Sequence, residues 1–283
     1  MKALQAKKHV LCEKPVSVTS SDYQDMLRIA KEVDRYIMDG TMFVHNNRTQ
    51  LMMDYVNQEH IFGKVTRINA EFTFRGDDNF FASDIRTNKE GDPHGCIGDL
   101  GWYCVRLAQL VFPKATKAKR VQTTNWKLND GGVPIDTTCL VFFQDEAVGY
   151  EKCQSSNESI LSFHCSFLHP LHQRVKICGT KQSLEMNDFV IPKEGINTWV
   201  VHEQNLTLND MYTVESNELM ECPSGPVQEV LMWRNFSNFC KTVELNGWND
   251  SEVMRISSVS VQNQRIVDAL MESISLEGKS VYL

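Results

Sequence analysis

The sequence predicts a short parallel α/β unit followed by an α+β domain with one open, mostly antiparallel sheet. Three observations point there. Residues 8–15 hold the apolar run Val10-Leu11-Cys12, which does not alternate, as in strands buried on both faces, and a second such run lies in residues 36–44. From Gly63 onward the pattern changes: Ile68, Ala70, Phe72 and Phe74 alternate with Arg67, Asn69, Glu71, Thr73 and Arg75, the mark of a half-exposed strand. Further strands follow, and two helices close the chain.

Between the two apolar runs, Ser21 and Gln24 have capping-box spacing, and Tyr23, Met26, Leu27, Ala30 and Val33 recur at helical intervals. Strand, helix and strand make a βαβ unit with a right-handed crossover. Lys14 then lies beyond the carboxyl end of a strand, where open parallel sheets bind ligands. A helix carrying Leu51, Met52, Tyr55 and Val56 ends this unit, which divides the chain into residues 1–56 and 57–283. A loop rich in Gly, Asp and Asn runs over 76–93 and includes Asp84-Ile85-Arg86; a helix over 98–112 follows. Strands are expected at 121–126, 138–143, 148–153, 160–166 and 174–178, with turns at Asn129-Asp130-Gly131-Gly132 and Gly179-Thr180-Lys181, and helices at 227–245 and 258–274.

Composition excludes several functions. The 283 residues are 42% hydrophobic and 23% charged, enough for a large buried core. No stretch approaches the roughly 18 continuous apolar residues of a membrane span, and residues 1–8 lack the apolar run of a signal peptide, so no membrane partner and a cytoplasmic setting are expected. A net charge of −7 without a basic block argues against nucleic acid and leaves a small molecule as the partner. Nine cysteines without a Cys-x-x-Cys pair fit reduced thiols. His164, Cys165, His169 and His172 crowd one region, but their spacing matches no zinc pattern and Pro170 interrupts them, so no metal is expected.

The chemistry centres on Gly95-Cys96-Ile97-Gly98-Asp99-Leu100-Gly101-Trp102-Tyr103. Asp99 and Tyr103 stand four residues apart and share one helix face. Lys14, in Glu13-Lys14-Pro15, completes a proton-handling set if the fold brings it there. Oxidising an alcohol releases a proton to a base, and a free phenol with a pKa near 10 is a poor one at neutral pH. A lysine cation within about 4–6 Å would lower that pKa, so Lys14 is expected to activate Tyr103. Asp99 holds the lysine, binds a substrate hydroxyl, or merely complements the helix dipole. Arg86 is a candidate for the substrate side. Arg48 and His45, after the second parallel strand, stand near a cofactor or simply start a helix.

Glu13-Lys14-Pro15, Gly98-Asp99-x-Gly101-x-Tyr103 and Ile177-x-Gly179-Thr180 together resemble the glucose-fructose oxidoreductase, inositol dehydrogenase and rhizopine-catabolism family. The stretches from Ile37 to Asn46 and from Gly98 to Tyr103 are closer still to its dimeric dihydrodiol dehydrogenase branch and to plant oxidoreductases of that branch. The resemblance implies a Rossmann domain that holds NADP or NAD, of which residues 1–56 are the C-terminal remnant, and a second domain whose open sheet covers the nicotinamide and forms a homodimer. It implies that Lys14 contacts nicotinamide ribose and substrate and that Tyr103 is the acid/base residue. Asp99 and Arg86 fall on the substrate side, and Glu13, Lys14, Pro15 and Arg48 on the cofactor side. The implied reaction moves a hydride between nicotinamide and a hydroxyl of a sugar, polyol or trans-dihydrodiol.

One feature departs from that family. No glycines here form the Gly-x-Gly-x-x-Gly turn that meets a pyrophosphate. The expected reading is that Met1 is an internal methionine of a longer oxidoreductase. The alternative is a shortened homologue that no longer catalyses and serves as a binding or scaffold protein through its sheet.

Overall fold

The computed structural model describes residues 1–112, 116–145, 158–192, 198–203, 216–221 and 225–283. A short helix, α1 (Lys2–Gln5), leads into β1 (Val10–Cys12), which pairs in parallel with β2 (Ile37–Asp39), Val10 opposite Ile37 and Cys12 opposite Asp39. Between them runs α2 (Ser20–Glu32). Its cap is Thr19 rather than the expected Ser21: the Thr19 side chain accepts from the Asp22 amide and donates to the Asp22 carboxylate at 2.7 Å. The cap thus forms two residues earlier than the Ser-x-x-Gln spacing indicated, and its second bond joins the two side chains rather than returning to the Thr19 amide.

β2 stops at Asp39, short of the extended run expected to residue 44. The Asp39 carboxylate accepts from the Thr41 amide at 3.0 Å, which bends the chain back. A single 3₁₀ turn over Met42–His45 then buries Phe43, and α3 (Asn47–Val56) begins behind Asn46, whose side chain accepts from the Arg48 amide at 2.8 Å.

The second part is built on β3 (Val65–Arg75), whose Ile68, Ala70 and Phe72 point inward. The loop after it contains α4 (Asp78–Ser83), and α5 (Trp102–Val111) follows. Then come β4 (Thr116–Leu128), β5 (Pro134–Asp145), β6 (Glu158–Ser166), β7 (Leu168–Gly179), β8 (Gln182–Met186), β9 (Thr198–Glu203) and β10 (Ser216–Glu221). Helices α6 (Gln228–Asn246) and α7 (Ser251–Ser275) and the short β11 (Val281–Tyr282) complete the chain. The strands form one open sheet in the order β10-β9-β8-β7-β3-β6-β5-β4-β11. Every neighbouring pair is antiparallel except β3 and β6, so the expected open, mostly antiparallel sheet is present. The strand expected at 148–153 lies outside the described residues.

α7 joins the two parts. It starts at Ser251, ahead of the expected 258, because the Asp250 side chain caps it by accepting from the Glu252 and Val253 amides at 3.0 and 3.1 Å. Asp268 accepts from the Ser20 amide at 2.7 Å on one side, and Ser273 accepts from the Thr123 amide at 3.0 Å on the other. A single apolar core therefore runs from Leu4 and Tyr23 in the parallel unit, through α5, to Phe163 and Val175 on the inner face of the sheet. No helix among the described residues is long and apolar enough to cross a membrane. The seven described cysteines are free, and burial pushes the thiols of Cys104, Cys139 and Cys165 up, which keeps them protonated.

Candidate active site

The site forms where the carboxyl end of β1 meets the start of α5. Gly95 turns the chain with φ +51°, and residues Ile97–Gly101 then make one wide π-helical turn that continues into α5. Such turns recur at functional sites because they displace a carbonyl from the regular ladder. Here the Asp99 carbonyl accepts from Lys14 Nζ at 2.5 Å, and Asp99 Oδ1 accepts from the same nitrogen at 2.6 Å. Gly95 is required at this corner: a Cβ there would stand 2.1 Å from the Pro134 carbonyl oxygen, in a backbone conformation L residues rarely adopt. Gly95→Ala is expected to destabilise the protein by about 1–3 kcal/mol. A denaturant midpoint equal to that of the unsubstituted protein would refute this.

The structure thus brings together the three residues singled out from sequence. The Lys14 ammonium lies 4.6 Å from the centroid of the Tyr103 ring, within cation–π range. Tyr103 is buried between Phe43 and Phe72, ring centroids 6.0 and 5.6 Å away. Its hydroxyl makes no hydrogen bond among the described residues, yet it is not among the fully sealed-off polar atoms. The expected activation of the phenol by Lys14 does not occur in this arrangement. Burial, then the negative charges of Asp99 and Glu13, push the Tyr103 phenol well above its ordinary value, with Arg86 pulling weakly the other way. The lysine charge stands over the ring face and is already matched by Asp99, so it does little for a phenolate.

Arg86 reaches the same cluster. Its Nε stands 3.1 Å from Asp99 Oδ2, so one carboxylate joins a lysine and an arginine while much of the Arg86 side chain stays exposed. Glu13 is exposed, and its carboxylate packs against Gly40 at the end of β2. Pro15 is half-buried beside it. Arg48 is elsewhere: it is almost fully buried, and its guanidinium donates to Asp188 Oδ1 at 2.7 Å and to the Asp188 carbonyl at 2.6 Å. That pairing ties α3 to the chain after β8 and engages one N–H of each terminal guanidinium nitrogen within the protein.

A second polar cluster, unforeseen from sequence, lies directly behind the site. Asp39 Oδ2 accepts from Arg106 Nη2 at 2.9 Å and from the Ser260 hydroxyl, and both charged residues are about 97% buried, with side-chain exposures of 3% and 3%. Burial by itself would raise the Asp39 carboxyl, but Arg106, Ser260 and the Thr41 amide together hold it below its ordinary value. Thr41 accepts from Trp102 Nε1 at 2.8 Å. His45 Nδ1 lies 3.0 Å from the Asn235 amide nitrogen, and burial brings its imidazole down to about 4, so it is neutral near pH 7. The signal available in the sequence was a charge inside each of two apolar runs, Ile37-Met38-Asp39 and Tyr103 to Leu107, because a charge placed there needs a partner.

Comparison with known proteins agrees with this architecture. Residues 53–185 match the GFO/IDH/MocA C-terminal domain, and residues 1–41 match the oxidoreductase family with NAD-binding Rossmann fold. A trans-1,2-dihydrobenzene-1,2-diol dehydrogenase of Mus musculus is 25% identical over 191 residues, which is 68% of this chain and 51% of that enzyme. An inositol dehydrogenase homologue of Azotobacter vinelandii, crystallised with NADH and myo-inositol, superposes with a TM-score of 0.75 at 15% identity over 100% of this chain and 73% of that one. A 3-ketoreductase of Actinomadura kijaniata, crystallised with NADP and TDP-benzene, gives 0.70 at 22% identity over 96% and 73%. The chain spans 31%, 47% and 51% of the length of three curated relatives it matches. It belongs to the GFO/IDH/MocA oxidoreductase family.

Proposed function

We propose that this chain carries the substrate-facing part of an NAD(P)-dependent oxidoreductase that moves a hydride between nicotinamide and a carbonyl or hydroxyl carbon of a sugar, polyol or trans-dihydrodiol. The observation that carries the reading is the convergence of Lys14, Asp99, Arg86 and Tyr103 at the carboxyl end of a parallel strand pair. The residues present fit the nicotinamide end of the cofactor. Two of the three Lys14 protons are engaged by Asp99, which leaves one donor for a ribose or substrate oxygen, with Glu13 and Pro15 alongside. They offer no glycine turn for the pyrophosphate. When bound, NADP or NAD supplies or accepts the hydride.

The protein's own part is the proton. A phenol held above its ordinary pKa keeps its proton through neutral pH and gives it to an oxygen on which negative charge develops. Tyr103 thus acts as the acid in carbonyl reduction, and its phenolate is the base in the reverse direction. Lys14, pinned by Asp99, points a fixed donor at the same oxygen, and Arg86 holds a second hydroxyl of the substrate. The lysine–carboxylate–arginine set beside a phenol supports this reading over that of a scaffold protein. A homodimer formed through the sheet and a cytoplasmic setting belong to the same reading.

The test is to assay the protein as its own cell makes it with NADPH and NADH, against polyols, aldoses and cyclic diols and the matching carbonyl compounds. Turnover of one such pair is expected; silence of the whole panel with both cofactors would sink the proposal. Arg86→Gln is expected to raise KM for the active substrate about tenfold with kcat little changed, the loss of one charge-assisted hydrogen bond. An unchanged KM would remove Arg86 from the substrate side.

A further inference from the structure

On the outer face of the sheet, away from the candidate active site, Asp136, His164 and His169 converge so that their ligand atoms all lie within 4.8 Å of one another. We propose that they form a binding site for a divalent transition-metal ion of the zinc type, with a fourth position that the three side chains leave unfilled.

The strands place the ligands. In the antiparallel β5–β6 pair, Thr138 stands opposite His164 and Asp136 opposite Ser166, so Asp136 and His164 are diagonal neighbours on one face. His169 arrives from the first residues of β7, after the chain turns at Phe167. Asp136 offers one oxygen to each imidazole: Oδ1 is 3.0 Å from His164 Nε2, and Oδ2 is 3.4 Å from His169 Nε2. With metal–ligand bonds near 2.0–2.1 Å, the edge of a tetrahedron around zinc is about 3.3 Å. The His164 separation lies near that edge, the His169 separation runs to the other carboxylate oxygen, and the half-exposed His169 has the freedom to close the remainder. Two imidazoles and a carboxylate are a donor set suited to Zn²⁺ and its neighbours.

A carboxylate also stands behind the imidazole, beyond direct hydrogen-bond distance. Glu71 Oε1 lies 3.9 Å from His164 Nδ1, the nitrogen facing away from the cluster, and Arg174 holds Glu71 at 2.9 Å. A closing movement of about 1 Å would make it the kind of outer hydrogen-bond partner that orients metal-bound histidines. The sequence pattern brings out His164 and His169 but leaves out Asp136, which comes from a third strand. It also misleads at Cys165, which strand alternation turns inward, fully buried, with Sγ 3.0 Å from Thr137 Oγ1.

The experiment titrates the metal-free full protein with Zn²⁺ against a chromophoric chelator near neutral pH and records the visible spectrum of the Co²⁺ form. One ion per chain is expected, with a cobalt spectrum free of thiolate charge-transfer bands. His169→Gln, at an exposed position that leaves folding intact, is expected to weaken Zn²⁺ binding at least 100-fold, and Glu71→Gln about tenfold. No binding to the unsubstituted protein, unchanged affinity in His169→Gln, or a thiolate band in the cobalt spectrum would each overturn the site.

Discussion

Tyr103→Phe is expected to cut turnover by about 10²–10⁴-fold while cofactor affinity stays within about twofold. The substitution removes one oxygen and little else. The ring keeps its place between Phe43 and Phe72 and beneath the Lys14 ammonium, and the hydroxyl has no hydrogen bond among the described residues to lose. Folding should therefore be untouched, and the loss should appear in kcat rather than in KM, as for a group that acts only as charge develops. The pH profile carries the same signature. Because burial, Asp99 and Glu13 raise the phenol above its ordinary value, the proton-donating form is complete throughout neutral pH. Carbonyl reduction is then flat across that range, whereas alcohol oxidation, which needs the phenolate, climbs as pH rises toward the raised pKa. In Tyr103→Phe the climb disappears. If kcat stays near that of the unsubstituted enzyme, Tyr103 is a packing residue and the proton travels elsewhere.

What the sequence made legible was whatever depends on short-range spacing. The apolar run Val10-Leu11-Cys12 implied a parallel pair, the alternation of Ile68, Ala70 and Phe72 implied an open sheet, and the four-residue interval between Asp99 and Tyr103 put both on one face. Long-range consequences of packing were out of reach. Lys14 does approach Tyr103, but over the ring and already matched by Asp99, so the direction of the pKa shift is set by burial, which no spacing encodes. Arg48 is claimed by Asp188, 140 positions along the chain. The early start of α7 turned on a single capping carboxylate, Asp250. In each case the deciding partner is remote or the decisive contact is with a backbone amide, and hydrophobic periodicity reports neither.

Asp39→Ala is expected to destabilise the protein by about 3–5 kcal/mol, the largest stability effect anticipated for a single polar substitution here. Arg106 belongs to α5, every residue of which from Trp102 to Ala108 is buried, and its guanidinium has no water to return to. Nε of Arg106 already lacks a partner, so Asp39 and Ser260 satisfy what the charge has. Removing the carboxylate strands a buried cation, releases the Ser260 hydroxyl and frees the Thr41 amide that bends the chain out of β2. Asp39→Asn preserves the shape and the turn and should cost less. Asp39→Ala combined with Arg106→Met should recover much of the loss, because the apolar stem replaces a charge that no longer has a counterion. Denaturant midpoints of the two single variants and the double variant decide the matter. Additive losses would mean that Asp39 and Arg106 do not act as a pair. Recovery in the double variant would make the pair a device for seating α5 and α7 against β2, which in turn sets where Asp99 and Tyr103 stand.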